Sequence, residues 1–297
     1  MRHSKLYEIF YYARYAFGAR ISASRPKPLL CGFKLTHKCN LKCSHCPFWR
    51  KDAESISYAG AQDVLERLHG EGVRILIFEG GEPLLWDGIS GLVEKAKELF
   101  FSVGITTNGT ISLSKASPDI YFISIDGPRQ IHDRIRGKCF DRVMENIERN
   151  KHSKVIANIT ISNLNQDSIL ELVGFLQGKI KGATIQFFYP FPGVEELSVD
   201  PEKRIEVLDS LIRLKKKGYS LMDSYHCLEK MKDNSWKCYD FLIASADPDG
   251  YIHHGCYLKN RLKDIYCSKC GYAAHCEISA AYRLKPAAVA TAARIFW

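Results

Sequence analysis

The chain has 297 residues, of which 46 % are hydrophobic, so it can build one large α/β domain with a small additional region. Its formal charge of +9 would suit an anionic partner, but the Lys and Arg residues are spread along the chain and no RNA-binding signature accompanies them. No apolar run reaches the roughly 18 residues that a transmembrane helix needs. We therefore expect a soluble, cytoplasmic protein without a nucleic-acid partner, at most peripheral to a membrane.

The eleven cysteines show a clear pattern. Because the chain shows no signal peptide, they argue against a disulfide framework and for metal ligation in a reducing compartment. Three of them lie within residues 39–46 and five within residues 238–276. This clustering strengthens the case for metal binding.

The first region covers residues 1–28 and begins with an amphipathic helix over residues 5–17. The apolar face of this helix consists of Leu6, Ile9, Phe10, Ala13 and Phe17. We favour packing of the helix against the main domain. The flanking Lys5 and Arg14 leave open a peripheral contact with a membrane surface.

Residues 29–219 alternate short β-type runs with helical stretches, which is the pattern of a parallel sheet with right-handed crossovers. The predicted strands cover residues 29–35, 74–79, 102–107, 120–125, 155–161 and 183–189. The predicted helices cover residues 57–70, 88–100, 138–151, 166–179 and 201–217. Six such units predict an α/β fold, a partial (β/α)6 barrel rather than a closed barrel of eight strands.

The alternation stops near residue 220, where the sequence becomes rich in Cys, Tyr and His. Residues 220–285 are therefore predicted to form a small second region, with a turn at residues 246–250. Residues 286–297 follow as a tail of small residues that predicts a closing helix.

Cys39, Cys43 and Cys46 directly follow the first predicted strand, at the end of a strand where α/β barrels keep their active sites. Three thiolates on a four-iron cluster leave one iron open for a small chelating molecule. A structural zinc site would normally be closed by four ligands. The triad therefore favours a 4Fe–4S cluster.

The spacing C-x3-C-x2-C resembles the radical S-adenosylmethionine (radical SAM) superfamily. Further motifs follow in the order found in that family: GGEP at residues 80–83, TTNG at 106–109 and SIDGP at 124–128, with IHDRIRG at 131–137. One departure is His45, which stands where most members have an aromatic residue. Each motif alone is typical of an ordinary turn, so the prediction depends on their order after the triad.

The resemblance implies S-adenosylmethionine as cofactor beside the 4Fe–4S cluster. Glu82 or nearby carbonyls would accept from its ammonium group, Ser124 would bind its ribose or carboxylate, and Arg136 would pair with its carboxylate. Asn165 would contact the ribose or adenine. The implied cofactor-binding residues are Gly80, Gly81, Glu82, Pro83, Thr107, Asn108, Ser124, Asp126, Arg136 and Asn165.

The C-terminal cysteines resemble the SPASM and twitch appendages of many radical SAM enzymes, which carry auxiliary clusters. Position 280 is Ala and no cysteine follows Cys276, so we expect one auxiliary 4Fe–4S cluster rather than two. The candidate ligands are Cys238, Cys256, Cys267 and Cys270, with Cys276 as a competitor and Cys227 as a distant candidate. Zinc stays open as an alternative, and His253 and His254 are either local polar structure or site contacts.

Radical SAM chemistry implies a one-electron donor of the ferredoxin or flavodoxin type and leaves the substrate open. One hypothesis is a peptide or small molecule, and another is an isoprenoid lipid. For a lipid, the barrel mouth should be apolar and lined by Phe187, Phe188, Tyr189, Phe191 and Tyr225. The alternatives are an iron–sulfur electron-transfer protein and an RNA-modifying radical enzyme.

Overall fold

The computed structural model describes residues 4–21, 27–52, 54–150 and 154–297; residues 22–26 of the predicted linker lie outside the described residues. The strands are β1 (Leu30–Lys34), β2 (Ile75–Glu79), β3 (Ser102–Thr107), β4 (Ile120–Ser124), β5 (Lys154–Ile161), β6 (Gly182–Phe187), β7 (Ile243–Ala246) and β8 (Ile252–His254). The helices are α1 (Lys5–Ile21), α2 (Tyr58–Gly70), α3 (Ile89–Leu99), α4 (Arg129–Arg136), α5 (Phe140–Arg149), α6 (Ile169–Leu176), α7 (Pro201–Lys216), α8 (Tyr225–Lys230), α9 (Ala273–Tyr282) and α10 (Pro286–Phe296).

One sheet contains all eight strands in the order β6-β5-β4-β3-β2-β1-β7-β8. Strands β1 to β6 pair in parallel with their neighbours in sequence, and β7 also pairs in parallel with β1. The predicted open arrangement of six parallel strands is confirmed. Because the strands are parallel, the loops that follow them meet at one edge of the sheet, and the sequence motifs lie in those loops.

The two faces of the sheet differ in chemistry. On β1, Cys31 and Phe33 pack into the main hydrophobic core with residues of α2 and α3. The alternating residues Gly32 and Lys34 point to the opposite, inner face, because successive side chains in a strand point to opposite sides. Burial of Cys31, and of Cys139 at the start of α5, was expected and is confirmed.

The predicted helix at residues 138–151 is present as α5, and it is preceded by a short helix, α4, that the sequence pattern does not predict. Helix α4 ends at Gly137, whose φ of +97° favours glycine. One carboxylate oxygen of Asp133 then accepts the backbone N–H groups of Cys139 and Phe140, both at 2.9 Å, and caps α5. The eight residues of α4 are mostly polar, so hydrophobic periodicity does not reveal them.

The C-terminal region extends the sheet, which the sequence pattern does not predict. Strands β7 and β8 form an antiparallel pair around the predicted turn, in which the Gly250 N–H donates to the Asp247 carbonyl at 2.9 Å. Strand β7 has only four residues, all buried, so it shows no alternation. The tail predicted as a closing helix is α10.

Helix α1 packs against the domain through its tyrosines rather than through its predicted apolar face. The Tyr11 hydroxyl donates to the Gly72 carbonyl at 3.2 Å, and the rings of Tyr11 and Tyr12 pack edge-on against Phe101. In contrast, Leu6 is 80 % exposed and Phe10 64 %. The predicted packing of α1 against the domain is thus confirmed, but it uses the tyrosine face of the helix. Contact of α1 with a membrane stays a prediction. Among the described residues, no helix combines the length and apolarity needed to cross a bilayer.

Substitution of Gly271 by Ala should loosen the C-terminal region from the barrel. The Phe187 N–H donates to the Gly271 carbonyl at 3.0 Å, and a Cβ at position 271 would lie 2.0 Å from the Phe187 carbonyl oxygen. We expect Gly271→Ala to lower the free energy of unfolding by about 1–3 kcal/mol in urea titrations. Gly70→Ala is the control, since no atom lies within 4 Å of its new Cβ. Equal stability of the two variants would contradict this packing.

Candidate active site

The three cysteines of the triad lie in the loop after β1, where the sequence places them. Cys43 is buried, whereas Cys39 and Cys46 are partly exposed. The loop is held from two sides, because the Ser44 N–H donates to the Ile135 carbonyl at 2.9 Å and the Trp49 indole N–H to the Cys43 carbonyl at 3.1 Å. Burial raises the pKa of Cys43 to about 12, so metal binding must displace its proton.

The two glycines of GGEP fasten this motif to the segment that leads into Cys39. The Gly81 N–H donates to the Thr36 carbonyl at 2.7 Å, and the Glu82 N–H donates to the Lys38 carbonyl at 2.8 Å. A Cβ on Gly81 would lie 2.2 Å from the Lys38 carbonyl oxygen. The glycines are therefore required by this backbone contact, independently of any ligand.

Glu82 is fully buried and joins the ends of β2 and β3. Its carboxylate accepts from the Thr107 hydroxyl at 2.7 Å, the Asn108 N–H at 2.7 Å and the Leu84 N–H at 3.0 Å. The Asn108 side chain in turn donates to Asn40 at 2.9 Å and lies 4.0 Å from the Cys39 sulfur. The Glu82 carboxylate therefore ties the loop after β2 to the end of β3.

Asp126 and Arg136 form a buried ion pair behind the cysteine loop. The Arg136 Nε donates to Asp126 Oδ2 at 2.5 Å, and its Nη1 lies 3.9 Å from the Cys43 sulfur. Burial opposes both charges, but each partner outweighs it, which lowers the pKa of Asp126 and raises that of Arg136. The His45 Nε2 lies 3.9 Å from the same carboxylate oxygen, and burial lowers its pKa to about 4.

Asp126 also organises the ends of β4 and β5. Its other carboxylate oxygen accepts the Thr160 N–H at 3.0 Å, and the Asn165 amide donates to the carbonyls of Asp126 at 2.6 Å and Thr160 at 2.8 Å. Asn165 is buried, and its amide group is used within the protein. Ser124, at the end of β4, lies buried at the same edge of the sheet.

Four of the C-terminal cysteines converge and the fifth does not. Burial, Asp240 and the nearby Cys256 and Cys270 raise the pKa of Cys238 to about 12. Burial, Cys256 and Cys267 raise that of Cys270 to about 11. Cys276 instead lies in the hydrophobic core beside Cys227.

Among the described residues, no three of these sulfurs lie within 4.8 Å of one another. Within the described ranges, one group of three metal-ligating side chains has its ligand atoms within 4.8 Å of one another. It consists of His132, Asp133 and Cys139, at the end of α4 and the start of α5. Tetrahedral zinc with Zn–S bonds of about 2.3 Å needs sulfurs about 3.8 Å apart. The four cysteines are therefore not arranged as a closed tetrahedral zinc site in this structure.

The two histidines of β8 belong to local polar contacts. The His253 Nε2 lies 3.3 Å from Asp247 Oδ2, and the His254 Nε2 lies 2.8 Å from Glu71 Oε2. Neither contact involves a cysteine.

Comparison with known proteins agrees with this geometry. A family model described as the radical SAM superfamily matches residues 33–176. Over these residues, just under half of its length, the chain is similar to the radical SAM superfamily. The matched segment runs from β1 to the end of α6 and so includes the triad, GGEP, TTNG, SIDGP and the Asp126–Arg136 pair.

Curated relatives match over part of their length. The pre-heme d1 synthase of Dinoroseobacter shibae is 33 % identical over 168 residues, which are 52 % of this chain and 41 % of that protein. The sporulation killing factor maturation protein SkfB of Bacillus subtilis is 29 % identical over 202 residues, 61 % of this chain and 48 % of that protein. The chain thus covers less than half the length of these relatives.

Solved structures extend the likeness to nearly the whole chain. The crystal structure of SuiB from Streptococcus suis bound to S-adenosylmethionine superposes with a TM-score of 0.67 at 16 % identity, covering 98 % of this chain and 74 % of SuiB. SuiB has also been solved with its precursor peptide SuiA. At this identity the likeness establishes the fold, including that of the C-terminal part.

Sequence reasoning missed the charged residues on the inner face of the sheet. Lys34 of β1 is buried, pairs with Glu79 of β2 at 3.0 Å and lies 4.4 Å from the centre of the Tyr257 ring. Glu79 raises the pKa of Lys34 against the effect of burial. Arg261 covers the same ring and pairs with Asp247 at 2.5 Å. The sequence carries one signal for these buried charges, namely a lysine within an otherwise apolar predicted strand.

Replacement of Asp126 by Asn should be far more costly than the same change at an exposed ion pair. The substitution leaves the buried Arg136 guanidinium without a counter-charge, so we expect a loss of about 3–5 kcal/mol in the free energy of unfolding. Asp141→Asn, which breaks the exposed pair with Arg129, should cost less than about 1 kcal/mol. Urea unfolding of both variants measures the difference. Similar losses would contradict a central structural role for Asp126.

Proposed function

We propose that this protein is a radical SAM enzyme that acts on a polar substrate such as a peptide. The observation that carries the proposal is the convergence of the triad, the GGEP loop and the ends of β3 and β4 at one edge of the sheet. When bound, a reduced 4Fe–4S cluster on Cys39, Cys43 and Cys46 supplies the electron that cleaves S-adenosylmethionine into methionine and a 5′-deoxyadenosyl radical.

The chain's own residues position the reactants and exclude water. The three thiolates provide the cluster ligands, and Arg136 lies close enough to Cys43 to balance its negative charge. Carbonyls of the GGEP loop would accept from the ammonium group of S-adenosylmethionine when it is bound. Ser124 and Arg136 would bind its ribose and carboxylate. Glu82, Asp126 and Asn165 hold these loops in place through buried hydrogen bonds.

The inner face of the sheet supports a polar substrate better than an isoprenoid chain. Lys34 and Glu79 form an ion pair there, and the Gln186 amide donates to the Thr160 hydroxyl at 3.0 Å. Of the aromatic residues expected to line an apolar mouth, Phe187 packs in the main core and Tyr225 lies exposed on α8. Phe188 packs against His45 of the cysteine loop. The relatives named as a pre-heme d1 synthase and a sporulation killing factor maturation protein support the same choice.

The C-terminal cysteines support one auxiliary 4Fe–4S cluster on Cys238, Cys256, Cys267 and Cys270. Their mutual proximity and their spacing favour it over zinc. Position 276 is excluded from the proposed ligand set, because its thiol packs beside Cys227. An electron-transfer role without S-adenosylmethionine is not favoured, because it does not explain the loops around the triad. An RNA-modifying role is not favoured, because no RNA-binding signature accompanies the basic residues.

Cys43→Ala should abolish reductive cleavage of S-adenosylmethionine. The substitution removes one of three cluster ligands, and cleavage requires the site that they build. After anaerobic reconstitution and dithionite reduction, 5′-deoxyadenosine should form with the wild type and fall to background with the variant. Cys31→Ala is the matched control, because Cys31 is buried in β1 away from the triad. Cleavage by the Cys43 variant at the wild-type rate would refute the proposed catalytic site.

Cys270→Ala and Cys276→Ala should differ in iron content. We expect about eight irons per chain in the wild type, about four with Cys270→Ala, and about eight with Cys276→Ala. Iron and sulfide analysis after reconstitution makes the comparison. A loss of about four irons in the Cys276 variant alone would overturn the proposed ligand set, whereas the triad would be unaffected by either result.

A further inference from the structure

A basic depression lies on the surface of the C-terminal region. Its volume is about 310 Å³, and its lining includes one aromatic ring, that of Trp236. Its basic lining residues are His226, Lys230, Lys237, Arg283 and Lys285. They come from α8, from the loop that follows it and from the connection between α9 and α10, so the fold brings together cations that are up to 59 positions apart in the sequence.

None of these cations forms an ion pair within 4.0 Å in the part of the chain that the structure describes, although Asp233 is near enough to Lys230 for the charges to interact. The ion pairs of this region use other residues: Lys232 pairs with Asp209 and Glu229, and Lys259 pairs with Asp240. No acidic residue lines the depression. Burial and the neighbouring Lys285 and Lys230 lower the pKa of His226, which reflects the positive field. Such a concentration of like charge attracts an anionic partner.

The depression adjoins the proposed auxiliary cluster. Lys237, in its lining, directly precedes Cys238, and the Tyr239 N–H that follows donates to Ser279 Oγ, also in the lining, at 3.0 Å. Cys238 and Cys267 are exposed, whereas Cys43 of the triad is buried. The C-terminal cysteine set therefore reaches the surface beside the cations.

We propose that the basic depression is the docking site of an acidic one-electron carrier protein. This inference rests on the proposed function, because cleavage of one S-adenosylmethionine consumes one electron. The reduced carrier is oxidised by one electron, which enters the chain at the surface-exposed cysteine set and is finally accepted by the sulfonium as its S–C bond breaks. Lys237, Arg283 and Lys285 are exposed at the rim, where charges steer association of a protein rather than enclose a small anion.

The test compares two double charge reversals with equal changes in net charge. Lys237→Glu with Lys285→Glu alters the rim of the depression. Lys138→Glu with Arg142→Glu alters two exposed cations at α5, outside the depression. For each chain, the affinity for an acidic flavodoxin is measured at several salt concentrations, and S-adenosylmethionine cleavage is measured with reduced flavodoxin and, separately, with dithionite.

We expect the rim variant to bind flavodoxin about ten-fold more weakly or worse, with a shallower salt dependence, and to lose flavodoxin-supported but not dithionite-supported cleavage. The control should match the wild type. The proposal would be overturned if the rim variant kept its affinity for flavodoxin, or if the control variant lost as much affinity as the rim variant. Binding of pyrophosphate by a wild-type chain that does not bind flavodoxin would overturn it as well. Absence of dithionite-supported cleavage in the wild type would instead refute the proposed function, and the affinities would still decide the docking site.

Discussion

The buried ion pair between Asp126 and Arg136 is the interaction on which the site depends. Its carboxylate receives the Arg136 side chain and the Thr160 N–H, so it joins α4 to the ends of β4 and β5. The same guanidinium lies beside the Cys43 sulfur, which links this network to the cysteine loop. A buried pair of this kind is costly unless its polar atoms have partners, and here the Thr160 N–H and the Cys43 sulfur add to the contact between the two side chains. The network thus fixes the loops before any cofactor binds.

Most of the barrel was predictable, because each parallel strand is a short apolar run followed by a turn motif and a helix. The positions of the triad, GGEP and SIDGP follow directly from this alternation. The detailed roles of the residues in these motifs do not follow from the alternation. Sequence reasoning proposed Glu82 or nearby carbonyls as acceptors for a ligand, and it did not predict that the Glu82 carboxylate accepts three hydrogen bonds from β3 and its own loop. Which polar side chain supports and which contacts a ligand depends on burial, and spacing alone does not encode burial.

In the C-terminal region, even less of the structure could be predicted from the sequence. Strand β7 is too short for a periodic pattern, and its pairing with β1 joins residues more than 200 positions apart. The choice between Cys270 and Cys276 as a ligand also depends on tertiary packing, since only the structure places Cys276 beside Cys227. The basic depression likewise assembles from separate segments, so no charge run in the sequence reveals it.

Electron paramagnetic resonance of the dithionite-reduced, reconstituted protein tests the central claim most directly. If the triad holds a cluster with one open iron, saturating S-adenosylmethionine should shift the g values of one signal in the wild type. A variant lacking Cys39, Cys43 and Cys46 should keep only a signal that S-adenosylmethionine does not change. A wild-type spectrum that is identical with and without S-adenosylmethionine would contradict the account.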